Sequence, residues 1–90
     1  MTNKRTEILE TAAALINGDR QEEYGPPQEN FNRIALGWEV ILGTEVSAEQ
    51  VALCMAWLKI ARLSGGGSSG DDSFIDGAAY LALAGELSYL

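Results

Sequence analysis

Two polar clusters hold the residues of this chain best equipped for chemistry. The first runs from Asn17-Gly18-Asp19-Arg20 through Glu22-Glu23-Tyr24-Gly25-Pro26-Pro27 into Glu29-Asn30-Phe31 and Arg33. It sets acids, bases, an amide and aromatic rings in a short connection, more chemical variety than turning the chain requires. Tyr24 can stack on a base, Asn30 can read a base edge through paired hydrogen bonds, and Glu22 and Glu23 offer the hard oxygens a divalent cation takes. The plain alternative is a turn at Asn17-Gly18-Asp19, a solvated acid pair at Glu22-Glu23 and a helix-start acid at Glu29. The second cluster, Asp71-Asp72-Ser73-Phe74-Ile75-Asp76-Gly77, opens the last apolar segment. Asp72, Asp76 and Tyr80 recur at spacings of four, so on a helix they share one face. Two carboxylates one turn apart suit Mg²⁺, against the simpler roles of a cap for Asp72 and an ion pair for Asp76. Gly77 inside a helix costs roughly 1 kcal/mol against alanine, which points to a close approach there. Lys59 and Arg62 add positive charge on a helix otherwise given to burial. They either snorkel to Asp72 or Asp76 or clamp a phosphate, arginine at two points and lysine as a point charge.

Helices must position all of these groups. Ile8, Leu9, Ala12, Ala13, Leu15 and Ile16 form a stripe of helical period over about 6–16. Asn17-Gly18 stops it, both residues tolerating the left-handed conformation. Tyr24-Gly25-Pro26-Pro27 forces an extended turn, and Pro27 fits the first turn of a second helix over 27–42. Its apolar face is Phe31, Ile34, Ala35, Trp38, Ile41 and Leu42; Glu29 and Arg33, four apart, can pair on its polar side. Gly43 ends it. Ser47 and Gln50 have the spacing of a capping box and open a third helix over 48–63. From Val51 through Leu58 that helix carries no charge. It is therefore central in a bundle or shared between subunits, and Trp38, Trp57 and Cys54 read as buried apolar groups. Residues 64–70 form a Gly/Ser connector. Asp71 or Asp72 then caps a fourth helix over 72–89, with Phe74, Ile75, Leu81, Leu87 and Leu90 among the residues available for packing. The expectation is an all-α, four-helix single domain over 1–90.

Composition narrows the partners. Ninety residues, 47% of them hydrophobic, make one domain near the lower limit for an independent core, so a homo-oligomer is expected. A net charge of −7 repels duplex nucleic acid. With no histidine and one cysteine, neither a zinc set nor a nucleophile triad can be assembled. No segment reaches the length of a membrane span and the basic start leads into an amphipathic helix rather than a signal region. A cytoplasmic location is expected.

Asn17-Gly18-Asp19-Arg20, Tyr24-Gly25, Glu29-Asn30-Phe31, Arg33-Ile34-Ala35, Trp38, Leu58-Lys59-Ile60-Ala61-Arg62 and Asp72-Ser73-Phe74-Ile75-Asp76 with Gly77 and Tyr80 resemble a family of small phage and prophage proteins. That family is known mainly as a domain of unknown function. The chain is more loosely similar to the all-α nucleoside triphosphate pyrophosphatases of the MazG and dUTPase type, helical oligomers in which acids on neighbouring helices hold Mg²⁺. That resemblance implies a MazG-like bundle with Asp72 and Asp76 as metal ligands. It also implies a Mg²⁺-dependent nucleotide pyrophosphohydrolase in which Glu29 or Glu22 serves the attacking water. Arg20, Tyr24, Asn30, Arg33, Lys59, Arg62 and Tyr80 would then bind the nucleotide. Where those enzymes carry Glu-Glu-x-x-Glu, this chain has Glu22-Glu23-Tyr24-Gly25-Pro26. Two further readings stand beside the enzyme: a non-catalytic binder that sequesters a host nucleotide, such as a defence signal, and a structural oligomerisation module.

Overall fold

Each helix of the fold is set by a short-range device at its ends. The computed structural model describes residues 3–18, 25–65 and 70–90, and among them all regular structure is helical. α1 spans Lys4–Asn17, α2 Pro27–Leu42, α3 Ala48–Ser64 and α4 Gly70–Leu87. α1 begins two residues before Thr6 because Asn3 Oδ1 accepts the Thr6 N–H at 2.9 Å. Its stop at Gly18 uses no left-handed residue: φ there is −118°. A Cβ at Gly18 would lie 3.0 Å from the Ala14 carbonyl oxygen, which the Gly18 N–H bonds. α2 ends at Gly43, whose φ of 70° is left-handed and whose N–H reaches Glu39 O at 2.8 Å. Glu39 Oε2 then accepts the Val46 N–H at 3.0 Å and pins the connection.

The capping box at the start of α3 is present in both directions. Ser47 Oγ accepts from Gln50 N at 3.1 Å, and Gln50 Oε1 accepts from Ser47 N at 2.9 Å. α4 already begins at Gly70, so Asp71 and Asp72 fall inside its first turn instead of capping it. Negative charge there still complements the helix dipole.

Packing orders the helices across the molecule as α2, α3, α4, α1, with α3 lying most extensively on α4. The core is small-residue rich. Phe31 and Ala35 of α2 meet Val51 and Ala52 of α3 and Leu83, Ala84 and Leu87 of α4, while Ile34, Trp38 and Met55 pack against them half-buried.

α2 and α4 also meet each other, Phe31 against Tyr80, so both pack on one side of α3, and of the two places expected for that helix the centre of the bundle is not the one it takes. Val51, Ala52 and Ala56 are buried, but Trp57 is 68% exposed, and Leu53, Leu58, Ile60 and Cys54 are exposed with it. Trp57 is thus no core aromatic and Cys54 no buried hydrophobe. Ile41 and Leu42, at the far end of α2, are likewise exposed, as are Leu9, Phe74, Leu81 and Leu90. No helix among the described residues is long and apolar enough to cross a membrane.

Candidate functional site

The seam between α3 and α4 holds the most constrained polar contact of the described residues. α4 presents Gly77 to α3 at the level of Lys59, and a Cβ on Gly77 would sit 3.7 Å from Lys59 Cβ, in ordinary contact. There is thus room for a methyl, and the close approach expected at Gly77 is not found; the Lys59 side chain runs on from this contact to Asp76, with Nζ to Oδ2 at 3.1 Å. The two side chains keep 16% and 22% of their exposure. Of the two aspartates one turn apart, the structure therefore selects Asp76; Asp72 is exposed at the start of the helix.

One further turn along α4 stands Tyr80, half-buried. Its ring meets Phe31 of α2 edge-on, with centroids 6.3 Å apart and planes at 73°. Asp76, Ala79, Tyr80 and Leu83 line a crevice with Ile16 of α1, about 10 Å³ in volume, room for roughly one water. Asn30, half-buried, precedes Phe31 on the first turn of α2. Lys59, Asp76 and Tyr80 thus form one polar line between the helices, with Phe31 at its α2 side. Lysine carries three donors. With one committed to Asp76, the ammonium retains donors for an anionic group approaching from solvent.

The other predicted site residues do not join that line. Glu29 and Arg33 are exposed on the side of α2 opposite Phe31 and Ala35, and they form no ion pair with each other. Arg62 is exposed in the last turn of α3, one turn beyond Lys59, where a cation suits the helix dipole. Arg20, Glu22, Glu23 and Tyr24 lie outside the described residues. Among the described residues no three of His, Cys, Asp and Glu gather as metal ligands. Sequence reasoning missed Ile16, whose place at the end of α1, just before the polar connection, was the available signal. Phe31, which the sequence sets both in the polar cluster and on the apolar face of α2, serves both the core and the wall beside Tyr80.

The profile of a family described as a domain of unknown function, DUF6378, matches residues 7–88. The Gene 55 protein of Mycobacterium phage D29 is 48% identical over 73 residues, covering 81% of this chain and 48% of that protein. The Gene 55 protein of Mycobacterium phage L5 is 43% identical over 74 residues, covering 81% of this chain and 47% of that protein. The chain spans about half the length of these curated relatives. No solved structure matches it.

Proposed function

The chain belongs to the DUF6378 family, and for this member of it we propose the binding of a small nucleotide at the α3–α4 seam. Lys59 and Arg62 meet the phosphates, while Tyr80 and Asn30 contribute to the walls. The observation that carries this reading is the half-buried Lys59–Asp76 pair at 3.1 Å. A lysine drawn between helices loses hydration, and a single carboxylate restores only part of it. That leaves a positioned cation one helical turn from the exposed guanidinium of Arg62, a spacing that suits neighbouring phosphate oxygens. Arg20 and Tyr24 of the polar connection extend the same chemistry. The resemblance to nucleotide pyrophosphatases supports the ligand class.

Binding without cleavage is the reading we adopt. A Mg²⁺ centre built on Asp72 and Asp76 would have to take Asp76 from the Lys59 ammonium that already holds it at 3.1 Å, with Asp72 standing exposed in the first turn of α4. The test is incubation of the chain with pooled nucleotides, cyclic dinucleotides and nucleoside triphosphates included, with and without Mg²⁺. Mass spectrometry then follows both the solution and the protein-bound fraction. One intact species retained in the presence of chelator, and lost in Lys59→Met, is the expected outcome. Mg²⁺-dependent release of monophosphate and pyrophosphate would replace binding by hydrolysis and return Glu29 and Glu22 to the water. Nothing retained at millimolar nucleotide would sink the nucleotide reading altogether.

A further inference from the structure

The outer side of α2 carries the two most exposed large apolar residues of any described helix, Val40 at 85% and Ile41 at 81%. Helical spacing sets Leu36, 63% exposed, beside them. Leu36 and Val40 stand opposite Phe31 and Ala35, the residues that α2 turns to the core. Gly37 sits among these side chains, next to Leu36 and one turn before Val40 and Ile41, and a Cβ there would meet nothing within 4 Å. Nothing in the chain uses that space, although glycine inside a helix costs roughly 1 kcal/mol against alanine. What it leaves is a notch bordered by exposed apolar side chains, the kind of hole into which a partner helix sets a knob.

Charge lies at one end of this face. Where α2 ends and α3 begins, Glu39, Glu45, Val46, Ser47, Glu49 and Gln50 line an open cleft of about 560 Å³. Three of these are glutamates and none is a cation, and the last turn of α2 has no basic residue to offset the negative end of its dipole. Glu45 and Glu49 form no ion pair among the described residues. Glu39, three residues after Leu36 and next to Val40, joins the cleft to the apolar face.

We infer that this face docks a basic amphipathic helix of another protein. The apolar side chains of that helix cover Leu36, Val40 and Ile41, one of them seated over Gly37, and its lysine or arginine side chains enter the cleft among Glu39, Glu45 and Glu49. Charge selects this occupant. Nucleic acid and anionic lipid surfaces carry the same sign as the cleft, and a second copy brings a net charge of −7 of its own. A segment with apolar and cationic groups on adjoining sides meets both halves of the surface. The inference does not rest on nucleotide binding, because the face shares no residue with the seam of Lys59 and Asp76.

A labelled synthetic helical peptide, leucine on one face and lysine on the other, tests this by fluorescence anisotropy against the whole chain. It is expected to bind, and its counterpart with glutamate in place of lysine is expected not to. Val40→Ser on one hand, and Glu45→Lys with Glu49→Lys on the other, are each expected to weaken binding about tenfold or more, through loss of an apolar anchor or of cleft charge. Matched changes on α1, Leu9→Ser at 63% exposure and Glu7→Lys with Glu10→Lys, are expected to leave it unchanged. None of the substituted residues is buried, so every variant should keep its helical circular dichroism. Equal weakening by the α1 changes would mean that the peptide follows net charge alone and would overturn the proposal, as would failure of the lysine peptide to bind. Sedimentation of a dimer that Val40→Ser dissolves and the peptide leaves intact would give the face to a second copy instead.

Discussion

Lys59 and Asp76 each owe their position to the other. A pair this far from solvent falls between an exposed ion pair, worth at most about 1 kcal/mol, and a buried one, whose breaking costs about 3–5 kcal/mol. Asp76→Asn leaves the Lys59 side chain, 16% exposed, without its counter-charge, and a loss of about 1–2 kcal/mol in urea unfolding is expected. Lys59→Met keeps the apolar stem against Gly77 and leaves a carboxylate slightly nearer water, so its cost is smaller. The double variant should recover part of the sum, and strict additivity would mean that the 3.1 Å contact contributes no coupling. In the sequence both Asp72 and Asp76 are candidates, since residues one turn apart on one face are equivalent by period. Depth along the seam separates them, and that depends on where α4 starts. Asp72 lies in its first turn and faces water, whereas Asp76 is a full turn deeper, against α3.

At the level of the helix, Gly77 and Ser47 make opposite predictions. Gly77→Ala adds a methyl at ordinary contact distance, 3.7 Å from Lys59 Cβ, and removes the penalty of glycine within a helix. It is expected to stabilise the protein by about 0.5–1 kcal/mol; a drop in unfolding midpoint would show that α3 and α4 approach more closely than ordinary contact. Ser47→Ala removes the acceptor for the Gln50 N–H and is expected to cost about 1 kcal/mol in the same measurement. These end signals explain why helix starts are the most readable part of this chain. Ser47 and Gln50, Pro27 and Gly43 are local devices whose effect does not depend on the tertiary structure. Asn3 was as good a cap as any, but it stands in a short basic lead where apolar period gives no mark of where the helix begins. The facing of α3 was unreadable for a different reason. An uninterrupted apolar run from Val51 to Leu58 has no polar side to set its phase. Nothing in it distinguishes Val51, fully buried, from Trp57, largely exposed. That choice is made by α2 and α4 both packing on one side.

For the whole molecule, the balance lies between apolar surface left over and charge of one sign. A 90-residue chain buries a small core, here built largely from alanines and a few large side chains around Val51, so covering the outer face of α2 would add a substantial part of its total apolar burial. A net charge of −7 bears on what can cover it, because that field draws a basic segment and repels a second copy when screening is weak. The Debye length shrinks from about 30 Å at 0.01 M salt to about 10 Å at 0.1 M. Association with a basic peptide is therefore expected to weaken as salt rises. Because the peptide binds only the folded chain, thermal stability should rise with peptide concentration as mass action requires, and rise less at high salt. Val40→Ser should abolish the peptide dependence while leaving a folded chain. Melting curves of both proteins over a matrix of salt and peptide concentration make the comparison. A midpoint for the unmodified chain that ignores the peptide at low salt would show that the apolar face is tolerated bare and that the fold stands on its three-helix core alone. A midpoint that rises with peptide, and rises less as salt is added, would mean that the outer side of α2, which contributes nothing to the single chain's packing, is where a basic partner completes the burial this short sequence needs.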